Sequence, residues 1–135
     1  MGRYLGLDVG DRRIGIALSD EMHWIASPHS VYTRVGWGPD VKYILSLYQQ
    51  NGCEKLVCGL PKNMDGSVGF QAEKVLAFAE KLKEAGMDVV FQDERLSTVS
   101  AHDALIEGGM RREDRKGTVD KVAAAVILQQ YLDKK

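Results

Sequence analysis

The chain has 135 residues, which suits one domain and leaves no room for two, so a single domain over residues 1–135 is expected. Hydrophobic residues make up 44%, a globular composition that excludes disorder and allows a core. Eighteen basic residues face nineteen acidic ones, and a net charge of -1 excludes global attraction to a polyanion; any nucleic-acid contact must come from a local basic patch.

The N-terminus enters a strand pattern directly, with no basic segment followed by a long apolar one. The longest strongly apolar run, Val122 to Leu128, is far too short to span a membrane. A soluble, cytoplasmic protein without a membrane partner is expected. Cys53 and Cys58 form no C-x-x-C pair and read as thiols of a reducing compartment.

In chain order, Arg3 to Val9 reads as a buried strand ending at Gly10. Gly10 to Arg13 is a turn, and Ile14 to Ser19 returns as the second strand of a hairpin. A third short strand lies within Trp24 to Thr33, interrupted by Pro28. Val41, Ile44, Leu45 and Tyr48 have helical spacing, opened by Pro39-Asp40 and closed near Gly52. Lys55 to Leu60 is a strand, Lys62 to Gly69 a polar loop, and Ala72 to Leu82 a helix stopped at Gly86. Asp88 to Gln92 is a strand that runs into Asp93-Glu94-Arg95. Ser97 or Thr98 caps a helix ending at Gly108-Gly109. A charged loop, Met110 to Gly117, leads to a last helix from about Thr118 to Leu132. The order β-β-β-α-β-α-β-α-α predicts an α/β fold with a mixed five-stranded sheet flanked by helices. Crossover connections make strands 1, 4 and 5 parallel, with their carboxyl ends on one edge.

Three acidic positions stand out on that frame. Asp8 lies in Leu5-Gly6-Leu7-Asp8-Val9, where an unpaired carboxylate costs several kcal/mol; bonds from the Gly10-Asp11 turn would also account for it. Asp93 and Glu94 close a parallel strand, and alternation sends their side chains to opposite faces, so one of the two reaches Asp8. Asp120 sits one turn from Ala123 and Ala124, small residues that let the last helix approach the sheet; taken alone it reads as a first-turn acid beside Thr118. Together, Asp8, one of Asp93 and Glu94, and Asp120 offer an all-oxygen cage suited to Mg²⁺ or Mn²⁺. Two such ions about 3.5–4 Å apart hydrolyse phosphodiesters. Arg111, Arg112, Arg115 and Lys116 crowd the segment before Asp120, and Arg12 and Arg13 occupy the hairpin tip near Asp8; these are the candidate nucleic-acid contacts. His23, His29 and His102 lack zinc spacing. Ser97-Thr98 and the Lys62–Ser67 loop are weaker phosphate candidates, explained equally by capping and loop chemistry.

Several segments resemble one known family. They are Leu7-Asp8-Val9-Gly10 with Arg13-Ile14-Gly15-Ile16-Ala17 and Ser19-Asp20, and Gly59-Leu60-Pro61-Lys62-Asn63-Met64-Asp65-Gly66. Asp93-Glu94-Arg95-Leu96-Ser97-Thr98 follows, then Asp120 with Ala123-Ala124 and Ile127-Leu128. In that order and at these separations they resemble the YqgF/RuvX family over nearly the whole chain. The resemblance implies a ribonuclease-H-like fold. It also implies a metal-dependent nuclease, described in that family either as maturing the 5′ end of pre-16S ribosomal RNA or as a Holliday-junction resolvase. Its acidic positions fall on Asp8, Glu94 and Asp120. More distant RuvC-type resolvases carry a second Asp where this chain has Ala123, which weakens junction resolution in particular.

The expected partners are therefore structured RNA or branched DNA, and ribosomal precursor particles. The oligomeric state stays open. Two other classes remain: a non-catalytic RNA-binding or ribosome-assembly module, and an ATP-binding protein of the actin and sugar-kinase type. The latter is disfavoured because 135 residues leave no second domain to close over a nucleotide.

Overall fold

Alternate residues of the first strand belong to two different cores. Leu5, Leu7 and Val9 join one buried cluster, whereas Tyr4 joins another, so the period-two pattern of Arg3–Val9 is that of a central strand covered on both faces. The computed structural model describes residues 2–61, 69–93 and 112–134, the side chains of residues 112–120 excepted. The elements are β1 (Arg3–Val9), β2 (Arg13–Ser19), β3 (Ala26–Thr33), α1 (Trp37–Gln50), β4 (Cys53–Leu60), α2 (Phe70–Glu84), β5 (Val89–Asp93) and α3 (Arg112–Asp133).

The strands form one five-stranded sheet in the order β3-β2-β1-β4-β5. β1–β2 and β2–β3 pair antiparallel, and β1–β4 and β4–β5 pair parallel, as the crossover rule requires. On one face Leu7, Ile14, Ile16, Leu56 and Cys58 pack against Ile44 of α1 and Val75, Phe78 and Leu82 of α2. On the other, Tyr4, Ala17 and Val57 pack against Ala124, Ile127 and Leu128 of α3. Each such fully buried aliphatic or aromatic side chain contributes about 1.5–3 kcal/mol. Both cysteines are free thiols, Cys58 buried and Cys53 half-buried. No described helix is long and apolar enough to cross a membrane.

Three boundaries differ from the sequence expectation. β3 runs through Pro28 without interruption, because it is an edge strand and the β2–β3 register shifts between Ile16 and Ala17, where Pro28 pairs. α1 begins at Trp37, ahead of Pro39-Asp40. Pro39 fits a first turn, where its missing N–H is not needed. The Asp40 carboxylate reaches back to the backbone N–H groups of Val35 and Gly36, at 3.0 and 3.3 Å. α3 begins at Arg112, so most of the segment expected to be a charged loop, Met110 to Gly117, is helical. Gly117 costs only about 1 kcal/mol in a helix interior. The helix expected between Ser97 and Gly108 lies outside the described residues.

Candidate active site

Asp8 is the penultimate residue of β1 and is half-buried. It faces α3, because alternation puts it with Tyr4 and Gly6. Its partner across β2 is Gly15, and β1 pairs with β4 up to Leu7 opposite Cys58. One step further brings Asp8 beside Gly59, and Gly59 pairs with Gln92 of β5. The lateral row on this face is thus Gly15, Asp8, Gly59, Gln92. The Asp8 carboxylate is thus flanked in this row by two residues without side chains. Glycine inside a strand marks a place where something approaches the backbone closely.

Gln92 closes the row on the far side. It is 7% exposed, and its Oε1 is buried with no hydrogen-bond partner among the described residues, while Nε2 donates to the carbonyl of Asp93 at 3.3 Å. A buried acceptor left without a donor is rare in native proteins. Sequence reasoning assigned Gln92 only to a strand; no local pattern marks it. Asp93 follows Phe91 on the opposite face, where Phe91 packs against the α1/α2 core. Of the Asp93-Glu94 pair, Asp93 is therefore the one turned away from Asp8's face. Glu94 lies outside the described residues.

α3 runs antiparallel to β1. Near the start of β1, the Tyr4 ring lies 6.0 Å from that of Tyr131. Two residues on, a Cβ on Gly6 would stand 2.8 Å from Leu128 Cβ and 3.2 Å from the Ala124 carbonyl oxygen. Asp120 is one helical turn before Ala124, and Asp8 is two residues after Gly6. Four residues of helix rise about 6 Å and two of strand about 6.6 Å, so the turn carrying Asp120 is level with Asp8. The small residues Ala123 and Ala124, both 0% exposed, allow this close approach.

The end of β1 is held in place from the other side. Arg34 Nη1 donates to the Gly10 carbonyl at 2.9 Å, and Arg34 Nε donates to Asp40 Oδ2 at 2.9 Å. Tyr32 Oη adds a further donor to Asp40 at 2.9 Å. Burial pushes the Asp40 carboxyl up, but hydrogen bonds from Val35 N–H, Arg34 and Tyr32 outweigh it and hold the group below the ordinary 3.8. The same burial and the Asp40 carboxylate raise the Tyr32 hydroxyl above its ordinary value. Arg34 and Asp40 were not singled out in the sequence; an arginine and an acid six residues apart across a strand end carry no motif.

Arg12 is exposed at the hairpin tip, and Arg13 opens β2 on the face of Asp8. Arg112, Arg115, Lys116 and Asp120 lie on α3, with side chains outside the description. Arg111, Glu94, Ser97-Thr98, His102 and the 62–68 loop fall outside the described residues. Among the described residues, no three His, Cys, Asp or Glu side chains are grouped so as to hold a metal ion.

A family profile described as "RuvX: Holliday junction resolvase" matches residues 2–134. A protein of Clostridioides difficile named "Putative pre-16S rRNA nuclease" is 47% identical over 98% of this chain and 94% of its own length. One of Caldanaerobacter subterraneus with the same name is 51% identical over 97% and 96%. Among solved structures, Thermus thermophilus RuvC in complex with a Holliday junction substrate superposes with a TM-score of 0.61 at 14% identity, covering 99% of this chain and 95% of that one. The fowlpox virus Holliday junction resolvase does so with 0.59 at 13%, covering 98% and 99%. These structures share the ribonuclease-H-like fold expected from the sequence.

Proposed function

The chain belongs to the RuvX family, described as Holliday junction resolvase, and on that premise we propose that it is a metal-dependent nuclease, one domain over residues 1–135, whose metal ligands are Asp8, Glu94 and Asp120. The observation that carries the reading is the register of α3 on β1, which sets the Asp120 turn level with Asp8. Alternation along β5 turns Asp93 to the face opposite Asp8, which supports Glu94, the acid the family resemblance marks, over Asp93 as the third ligand.

The donors fit Mg²⁺ or Mn²⁺. They are hard oxygens, the row beside Asp8 carries the glycines Gly15 and Gly59, and Gln92 Oε1, without a hydrogen-bond partner among the described residues, suits a donor such as a metal-held water. Two divalent ions, when bound, activate water and offset charge on the scissile phosphate. The chain's own part is orientation. β1 fixes Asp8, Arg34 fixes the Gly10 carbonyl beyond it, and Arg12, Arg13, Arg111, Arg112, Arg115 and Lys116 hold flanking phosphates.

The favoured substrate is the 5′ region of pre-16S ribosomal RNA, met in the cytoplasm on ribosomal precursor particles. The names of the close relatives support it, as does Ala123, a fully buried methyl where RuvC-type resolvases place a further acid. The family description supports junction DNA as the second reading. The test is cleavage of both substrates with Mg²⁺ and with Mn²⁺, wild type beside Asp8→Asn. RNA cleavage lost in the variant is expected. Cutting confined to four-way junctions would favour the second reading, and turnover on neither would favour a non-catalytic RNA-binding module.

A further inference from the structure

Behind Asp8, on the opposite face of the sheet, lies a second concavity. It is a cavity of about 400 Å³ between the hairpin tip and the first turns of α1 and α2, lined by Val9, Gly10, Trp37, Gln71, Lys74 and Val75. That is the small end of the roughly 300–1,000 Å³ range of small-molecule sites. Val9 and Gly10 directly follow Asp8, so a chain bound at one face of this strand end has a short path round it to the other.

The lining selects one kind of guest. Its cations are already matched: Lys74 Nζ meets Asp11 Oδ1 at 3.1 Å, and Arg34 Nε meets Asp40 Oδ2 at 2.9 Å. An anionic group gains little inside. Apolar walls come from Val9 and Val75, which are buried, and from the Trp37 indole, which is 46% exposed and seated edge-on against Phe78 at 5.9 Å. Gln71 adds an amide that both donates and accepts. Next to Gln71 in α2, Phe70 is 74% exposed, with the Nζ of the lining residue Lys74 4.5 Å from its ring centre. A flat group with apolar faces, a polar edge and no charge matches this lining, and in a nucleic acid that group is the base. Its phosphates stay outside, where Arg12 stands exposed at the tip.

We propose that this cavity receives an unpaired base from the strand whose phosphate lies at Asp8, with Trp37 as the stacking wall and Gln71 reading the base edge. The proposal rests on the nuclease reading of Asp8 and narrows its substrate class to nucleic acid with an unstacked nucleotide beside the cut. A base inside a duplex stack cannot enter such a cavity.

Trp24 and Trp37 are the chain's two tryptophans, so Trp24→Phe leaves Trp37 as the sole indole reporter. In that background, with EDTA present, a single-stranded RNA hexamer should quench Trp37 emission saturably. A blunt duplex, shown by anisotropy to be bound, should leave the emission unchanged. Trp37→Leu and, independently, Gln71→Glu should weaken hexamer binding roughly tenfold, the scale of one base–aromatic stack, with duplex affinity unaltered. Unquenched Trp37 at hexamer saturation would overturn the proposal, as would equal effects of both variants on duplex, or adenosine monophosphate quenching as tightly as the hexamer. Metal-dependent cleavage by Trp24→Phe is measured separately. Cleavage without quenching sinks the cavity alone, and quenching without cleavage sinks the nuclease reading alone.

Discussion

Arg34 Nη1 donates to the backbone carbonyl of Gly10 at 2.9 Å, two residues beyond Asp8. The same guanidinium is gripped by Asp40, which is 0% exposed. A buried ion pair that serves α1 on one side therefore also fixes where β1 ends, and with it the position of the carboxylate proposed to bind metal.

Asp40→Asn should destabilise the fold by about 3 kcal/mol at neutral pH, because it leaves the largely buried Arg34 without its counter-charge. Chemical denaturation checks the size. The native Asp40 carboxyl titrates below the ordinary 3.8, so its contribution is complete above that value and fades as pH drops through the lower folded value. The wild-type advantage over Asp40→Asn should accordingly shrink only in strong acid.

Asp8→Asn should lower metal-dependent cleavage by at least about 10³-fold, the equivalent of roughly 4 kcal/mol of transition-state stabilisation. Circular dichroism and nucleic-acid affinity should stay near wild type. Retained cleavage would remove Asp8 from the chemistry.

Magnesium should raise the melting temperature of the wild type, approaching about 2.7 kcal/mol of stabilisation at 100 times Kd. The same titration on Asp8→Asn should give a flat response. Parallel shifts in both proteins would place the ion elsewhere.

Gly6→Ala should cost about 1–3 kcal/mol, since the new methyl meets Leu128 Cβ at 2.8 Å and the helix must back away. Displacing α3 also separates the Asp120 turn from Asp8. The expected signature is a fall in kcat larger than any change in substrate affinity.

Cys53 should resist alkylation in the native protein. Burial pushes its thiol from 9.0 up to about 11, so at pH 8 the thiolate fraction, and the labelling rate, fall about 100-fold. Labelling at an ordinary rate without denaturant would contradict the burial.

Much of this architecture is legible in the residue order. Apolar positions in Arg3–Val9 and Ile14–Ser19 and the Gly10 turn define the hairpin, and the crossover rule then orients β4 and β5. Asp8 is conspicuous as a charge in an apolar strand. What escapes is lateral or long-range. That Gly15 and Gly59 flank Asp8 depends on the register of three strands, which no single segment encodes. Asp93 and Glu94 cannot be told apart until the phase of β5 is known. The start of α3 at Arg112 is hidden because charged residues before Thr118 have the composition of a loop. The Arg34–Asp40 pair is invisible because its purpose is a carbonyl 24 residues away.

All five strands precede α3 along the chain. A ribosome making this protein finishes the whole sheet before the helix that covers Tyr4, Ala17 and Val57 has emerged. Until that helix docks, the apolar face formed by Tyr4, Ala17 and Val57 is left uncovered. Docking of the last-made helix is therefore the step that closes the second core.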